Sequence, residues 1–304
     1  MKKYYDKVSL KTRMLNYLFK FTGVKKIFMN KEKTIKYIER ISKKKEKYNL
    51  PQKMGMSIES LGDMTIYCYN GNLKNNKGKI ILYIHGGSFI EEAISYQIKF
   101  AMQISKQTNA TLIMPRYQLI PVGNYKCMYS LMNKVYAEIL KNTNNIEFLG
   151  DSAGGGFILS YAMYLRNNNK IQPENIIMMS PWLDISLSNK ELLAAEKNDP
   201  ISGIIGNKYA GEIWKNDLDL KNYLVSPLYG EFYNLGKMTI ITGERDILKP
   251  DCLKLSKNLD KLNIKHNYIE YKGQAHDFGA FPTKEGNMVI NDIIKIINSG
   301  GKDE

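Results

Sequence analysis

The sequence predicts an α/β protein: a mainly parallel twisted sheet of about eight strands, helices on both faces, and a helical cap. Three observations carry that expectation. Continuously apolar runs at 79–84, 110–114, 146–149, 176–179 and 238–241 have the texture of strands buried on both faces. Helix-length segments near 92–107, 126–141 and 153–167 lie between most of them, an alternation that implies right-handed crossovers. The rhythm breaks once, where about forty residues separate Leu183 from Ser226 and a single crossover helix would suffice.

In chain order, residues 1–50 read as an N-terminal helical cap segment made of two amphipathic helices. Met14, Leu15, Leu18 and Phe19 recur on one face of the first, opposite Arg13, Asn16 and Lys20. Ile35, Ile38 and Ile41 form the stripe of the second, and both stripes are expected to lie on the rest of the chain. Residues 51–304 read as the catalytic domain. It opens with two antiparallel strands at 56–59 and 64–69, punctuated by Asn70-Gly71 and Asn75-Asn76. After the five buried runs, a helix near 249–263 leads to a last strand at 267–271 and a closing helix around 285–298. The interval at about 184–225 carries Ile204, Ile205, Tyr209, Ile213 and Trp214, and is expected to cap the carboxyl end of the sheet, where parallel sheets bind ligands.

Composition bounds the function. With 43% hydrophobic and 24% charged residues in 304, the chain is neither disordered nor fibrous, and no apolar run approaches a membrane span. No secretory signal is read after Met1, because Asp6, Lys7, Lys11 and Arg13 interrupt the apolar stretch. Three widely spaced cysteines exclude a disulfide framework or a Cys-based zinc site and fit a reducing compartment, so the protein is expected to be cytoplasmic. The net charge of +14 is concentrated: residues 1–50 hold 16 Lys+Arg against 4 Asp+Glu, a net of +12. No docking module accompanies it, so a nucleic-acid partner is not expected. Solvated helix faces are the plainer cause, and weak peripheral contact with an anionic membrane leaflet the alternative.

The strongest chemical signal is Gly150-Asp151-Ser152-Ala153-Gly154, which follows an apolar strand and opens a helix. A serine hydroxyl is a poor nucleophile unless held exposed and handed to a base. A sharp strand–turn–helix does this, and it crowds the positions two before and two after, which here are glycines. The helix start also aims the Ala153 N–H at the reacting oxygen. The second signal, His85-Gly86-Gly87-Ser88 after the run at 79–84, lets backbone N–H groups face a ligand with no Cβ in the way. A base is then required, and there are three histidines. His85 belongs to the glycine turn, His266 starts a strand, and His276 lies in a loop after the last strand, on the catalytic rim. The orienting acid should follow the preceding strand, where Glu244, Asp246 and Asp251 are candidates. Asp246, just past the strand, is favoured, and Asp251 has an ordinary explanation at a helix N-terminus.

These motifs, with Tyr117-Gln118-Leu119-Ile120-Pro121, Ser180-Pro181-Trp182-Leu183-Asp184, Gly243-Glu244-Arg245-Asp246 and His276-Asp277-Phe278, resemble the bacterial hormone-sensitive-lipase family of α/β-hydrolases over roughly residues 56–300. The resemblance implies an α/β-hydrolase fold with Ser152 as nucleophile, Asp246 as orienter and His276 as base. It implies Gly86, Gly87 and Ala153 as oxyanion donors, and a cap built from the N-terminus and the insertion. Two departures stand out: Ser88 replaces a third glycine, and Gln118 and Val122 replace an Arg and a Glu. The expected function is hydrolysis of short- to medium-chain carboxylic esters through an acyl-enzyme, with no metal or organic cofactor, by a monomer or homodimer. A deacetylase or amidase acting on a larger metabolite, and a non-catalytic binding protein on the same scaffold, are the alternatives.

Overall fold

A computed structural model describes residues 1–43 and 48–300. Nine strands form one sheet: β1 (Lys2–Tyr5), β2 (Ser57–Leu61), β3 (Met64–Tyr69), β4 (Ile80–Ile84), β5 (Thr111–Pro115), β6 (Ile146–Asp151), β7 (Asn175–Met179), β8 (Lys237–Gly243) and β9 (His266–Tyr271). Their order is β1-β9-β8-β7-β6-β4-β5-β3-β2, antiparallel only where β3 meets β2 and β5. Eleven helices complete the described residues, α1 (Leu10–Phe19), α2 (Val24–Phe28), α3 (Lys31–Ser42), α4 (Leu50–Lys53), α5 (Ser95–Thr108), α6 (Tyr125–Leu140), α7 (Ser152–Asn167), α8 (Leu192–Asn198), α9 (Ile204–Trp214), α10 (Lys249–Lys261) and α11 (Lys284–Asn298).

The apolar strands are buried on both faces because alternate side chains serve two different cores. From β4, Ile81 and Tyr83 join Phe100 and Ile104 of α5 and Ile293 and Ile297 of α11. Ile80, Leu82 and Ile84 instead join Val135 of α6, Ile158 of α7 and Leu255 of α10. The mainly parallel sheet with helices on both faces is therefore as the sequence implies.

The N-terminal segment departs from expectation twice. Lys2–Tyr5 is not helical but adds a ninth, parallel strand beside β9. Its four residues show no apolar alternation; side chains hold it, Tyr5 stacking on Tyr271 at 4.3 Å while both hydroxyls donate to Asp292. The second departure is the orientation of α1. Thr12 and Asn16 are its buried residues and Leu15 and Phe19 of the expected inward stripe are half-buried, whereas Met14 and Leu18 are exposed. Its polar face finds specific partners: the hydroxyls of Ser9 and Thr12 donate to Glu285, and Asn16 Nδ2 donates to the Gly273 carbonyl at 2.8 Å. Farther along, α2 and α3 pack on α9 of the insertion. Lys25 Nζ donates to the Glu196 and Asp199 carbonyls that end α8.

Candidate active site

The turn from β6 into α7 holds Ser152 at φ 49°, a backbone region that an L-residue enters only under constraint. The flanking glycines are sterically demanded. A Cβ on Gly154 would lie 2.0 Å from the Ile84 carbonyl oxygen, and one on Gly150 would lie 2.7 Å from the Gly154 carbonyl. The serine is thus carried at the carboxyl end of the sheet, with its own carbonyl accepting the Trp182 N–H at 2.8 Å.

His276, on the loop after β9, reaches Ser152 Oγ with Nε2 at 2.8 Å, and its Nδ1 lies 2.9 Å from Asp246 Oδ1. Asp246 is fully buried, His276 9% exposed and Ser152 5% exposed, so the chain of hydrogen bonds runs from the interior to the cavity. The other two acids are elsewhere. Glu244 accepts the Gly273 N–H, and Asp251 accepts from Asn189 Nδ2, tying α10 to the insertion. Asp251 does stand in the first turn of α10, as expected, and full burial with this contact adds a tie to the insertion. Burial pushes its carboxyl up to about 6.

The glycine turn requires one correction. Gly86 does not offer its N–H to a ligand: it donates to Asp151 Oδ2 at 3.0 Å. Gly86 lies so close to the elbow that a Cβ there would sit 2.7 Å from Ser152 Cβ. Asp151 also accepts from the Tyr83 hydroxyl at 2.5 Å and Gln97 Nε2 at 2.6 Å, which pins the turn to the strand that leads into Ser152. Among the described residues, no backbone or side-chain acceptor takes the N–H of Gly87, Ser88 or Ala153. Ser88 occupies φ 54°, the left-handed region that favours the glycine the family resemblance implies here, and its hydroxyl donates to Asn207 Oδ1 of α9 at 2.6 Å. His85 stacks on Tyr117 at 4.5 Å, and its Nδ1 lies 2.8 Å from the Gly86 carbonyl. Burial holds it down to about 4, so it stays neutral at physiological pH. His266 instead pairs with Ser256 Oγ at 2.7 Å, at the start of β9 and away from the loop that carries His276.

Two further carboxylates shape the site. Asp199 of the insertion is buried and accepts the N–H of Ile201, Ser202 and Ile247, so it clamps the insertion to the loop that carries Asp246. No pattern in the sequence marked it. Asp277 was legible only as part of the His276-Asp277-Phe278 string; its Oδ2 lies 3.4 Å from His276 Nε2 and its Oδ1 is buried with no partner among the described residues. Burial disfavours a charged imidazole at His276, but Asp277, Asp246 and Asp199 outweigh it and raise its pKa. Burial would likewise raise Asp246, yet the His276 charge and hydrogen bond hold it below the usual carboxylate range. For Asp277 burial wins, and its carboxyl is pushed well up.

Ser152, His276 and Asp277 open onto a cavity of about 150 Å³, walled by Gly87 and Ser88, by Ile201 and Asn207 of the insertion, and by Val24 and Phe28 of the N-terminal segment. Phe281, Glu91 and Ile94 complete its rim.

Comparison with known proteins identifies the fold family. A family model described as the alpha/beta hydrolase fold matches residues 81–280. An esterase of Acinetobacter venetianus is 23% identical over 227 residues, 73% of this chain and 75% of that protein. An acetyl esterase of Salmonella schwarzengrund is 26% identical over 237 residues, 71% of this chain and 70% of its own length. A solved structure of a putative esterase from Staphylococcus aureus superposes with a TM-score of 0.84 at 24% identity, covering 92% of this chain and 96% of that one.

Proposed function

We propose that this chain, which belongs to the α/β-hydrolase fold family and is a carboxylic ester hydrolase, acts through Ser152, His276 and Asp246 on short- to medium-chain acyl esters. The continuous chain of hydrogen bonds, 2.8 Å from serine to imidazole and 2.9 Å from imidazole to carboxylate, carries the reading. Ser152 Oγ attacks the ester carbonyl as its proton passes to His276 Nε2, while Asp246 holds the Nδ1–H tautomer and stabilises the imidazolium. The carbonyl oxygen, now negative, is received by the N–H groups of Gly87, Ser88 and Ala153, with Gly86 replaced in that role by its neighbour. His276 returns the proton to the leaving alkoxide, and the alcohol departs. Water, deprotonated by the same imidazole, then splits the acyl-enzyme and frees the acid and Ser152.

Chain length follows from the cavity. At about 150 Å³, walled by Phe28, Ile201 and Phe281, it is small beside the ~300–1,000 Å³ of drug-sized sites. Acetate to hexanoate esters of p-nitrophenol are expected to turn over faster than palmitate. A palmitate optimum would overturn the preference, and no turnover of any ester would overturn the hydrolase reading. A second reading, removal of an acetyl group from a larger metabolite, draws support from Asp277 and Glu91, which give the wall a polar, acidic side suited to a hydroxyl-bearing or cationic alcohol.

A further inference from the structure

We infer that the outward face of α1, with the turn after it, is a docking surface for an anionic lipid bilayer, and that it sets the mouth of the candidate active-site cavity against the membrane. Three observations on different levels converge on this.

The first is the packing of α1, which turns Leu15 and Phe19 toward the body of the protein and the rest of its apolar positions outward. Leu10, Met14, Tyr17 and Leu18 are 72%, 58%, 62% and 56% exposed, and Phe21, one turn later, is 70% exposed. At 3.6 residues per turn these positions form one stripe, facing away from the protein. Single exposed apolar residues are ordinary, but a contiguous patch marks an interaction surface. Burial of Thr12 and Asn16 beneath the helix fixes this orientation, because both spend their hydrogen bonds on Glu285 and Gly273.

The second is charge. Lys11 flanks one side of the stripe and Arg13 and Lys20 the other, with Lys7 before the helix and Lys26 beyond it; all five are exposed. None forms an ion pair among the described residues, and Asp6 is the sole acid in the first thirty positions. An apolar stripe between rows of cations is the pattern of a helix lying in the headgroup layer, apolar side down. A second copy of the same patch would bring the same cations and repel it, whereas an anionic leaflet neutralises them. No helix among the described residues is long and apolar enough to cross a membrane, so the contact is one of lying on the surface.

The third is location. The inner side of α1 rests on the loop that carries His276, with Phe19 packed on Phe281 at 5.0 Å. Val24, just past the patch, and Ile94, 43% exposed, both line the cavity. Tyr96, 42% exposed, packs on Phe281 from the other side at 5.5 Å. Docked through α1, the enzyme would take its ester substrates from the lipid side; that consequence rests on the proposed function, while docking itself does not.

The test is co-sedimentation of the full chain with vesicles of equal parts phosphatidylcholine and phosphatidylserine, and with phosphatidylcholine alone. The wild type is expected to bind the mixed vesicles at physiological salt, to bind pure phosphatidylcholine far less, and to lose binding as salt shortens the screening length below about 8 Å. Leu18→Asp with Phe21→Asp, both outside the cavity, should lower the bound fraction at least about tenfold and leave hydrolysis of p-nitrophenyl acetate unchanged. Lys11→Glu with Lys20→Glu keeps the apolar stripe and should also lower binding, which covers the case in which the first variant fails to fold. Absence of wild-type binding, or binding equal in all three proteins, overturns the proposal. So does a wild-type dimer that the Asp variant converts to monomers without vesicle binding in either form, because the patch would then belong to a second copy. Vesicle binding by a protein that hydrolyses no ester would keep the docking surface and discard the proposed function.

Discussion

The carboxyl end of the sheet and the first thirty residues were both read from patterns, and they differ in what fixes them. At the sheet end, backbone sterics decide: Gly150 and Gly154 are glycine because a Cβ at either would run into the chain, and the turn they permit presents Ser152. Those demands are local in sequence, so a five-residue string discloses them. In α1 the periodicity is equally clear, but periodicity names a stripe without saying which way it faces. The direction is decided by distant partners, Gly273 and Glu285, that bind the polar side. Local covalent geometry is legible in sequence; the choice of face between two chemically satisfiable packings is not.

The largest expected effect breaks or sustains the first half of that comparison. Ser152→Ala should reduce ester turnover by about 10⁶-fold, as loss of a triad nucleophile does, with an unchanged melting temperature. A serine-directed phosphonate should label the wild type at Ser152 and leave the variant unlabelled. Turnover within tenfold of wild type in the variant would show that the elbow is only a tight turn.

A step smaller, Asp246→Asn should cost about 10⁴-fold, because the amide keeps the shape and favours the wrong imidazole tautomer. Glu244→Gln is expected to leave the rate alone, since its carboxylate serves the Gly273 N–H. Steady-state rates of the two variants, compared at one pH, check this. Equal losses would contradict a role for Asp246 that depends on contact with His276.

Most of the site was legible, and the parts that were not share a cause. The eight interior and antiparallel strands follow from apolar runs and turn residues, whereas β1 does not, because Lys2–Tyr5 is held by tyrosine hydroxyls on Asp292 rather than by apolar alternation. Gly87 and Gly86 are indistinguishable as letters. Only the position of Asp151, one residue before Ser152 and with its Oδ2 3.0 Å from the Gly86 nitrogen, shows that Gly86 has its N–H committed. Asp199 lies in an insertion with no motif around it, and its approach to the Asp246 loop depends on how α8 and α9 fold back. Each miss is a contact between segments far apart in the chain.

The carboxylate beside the imidazole gives a prediction of intermediate size. Ser152 can be deprotonated only by a neutral His276, so activity should rise with pH through the imidazole's pKa. Asp277 is the nearest carboxyl after Asp246, at 3.4 Å from Nε2, and when ionised beside the imidazole it is the leading contribution that raises this pKa against burial. Asp277→Asn should therefore move the acid limb of kcat/KM to lower pH, by about one unit, with a smaller change on the plateau. A limb that stays in place would mean that Asp277 keeps its own proton throughout the range.

The smallest effect concerns Asp251, an acid of the same stretch that lies outside the proposed triad. Its carboxyl is fully buried, accepts one hydrogen bond from Asn189, and has its pKa raised by burial to about 6. A carboxyl whose pKa is higher folded than unfolded binds its proton more tightly in the folded state. Its favourable contribution is present below about pH 4, where both states are protonated, and is lost as pH rises toward 6. Asp251→Asn supplies a neutral acceptor of the same shape at every pH, so Asn189 keeps its partner and the insertion its anchor. The melting temperature of the wild type should fall relative to the variant between about pH 4 and pH 6 and run parallel to it above, while the rate on p-nitrophenyl acetate stays the same. A variant that loses activity with unchanged melting behaviour would instead tie Asp251 to the reaction, and the assignment of the orienting acid to Asp246, on the loop after β8, would fail.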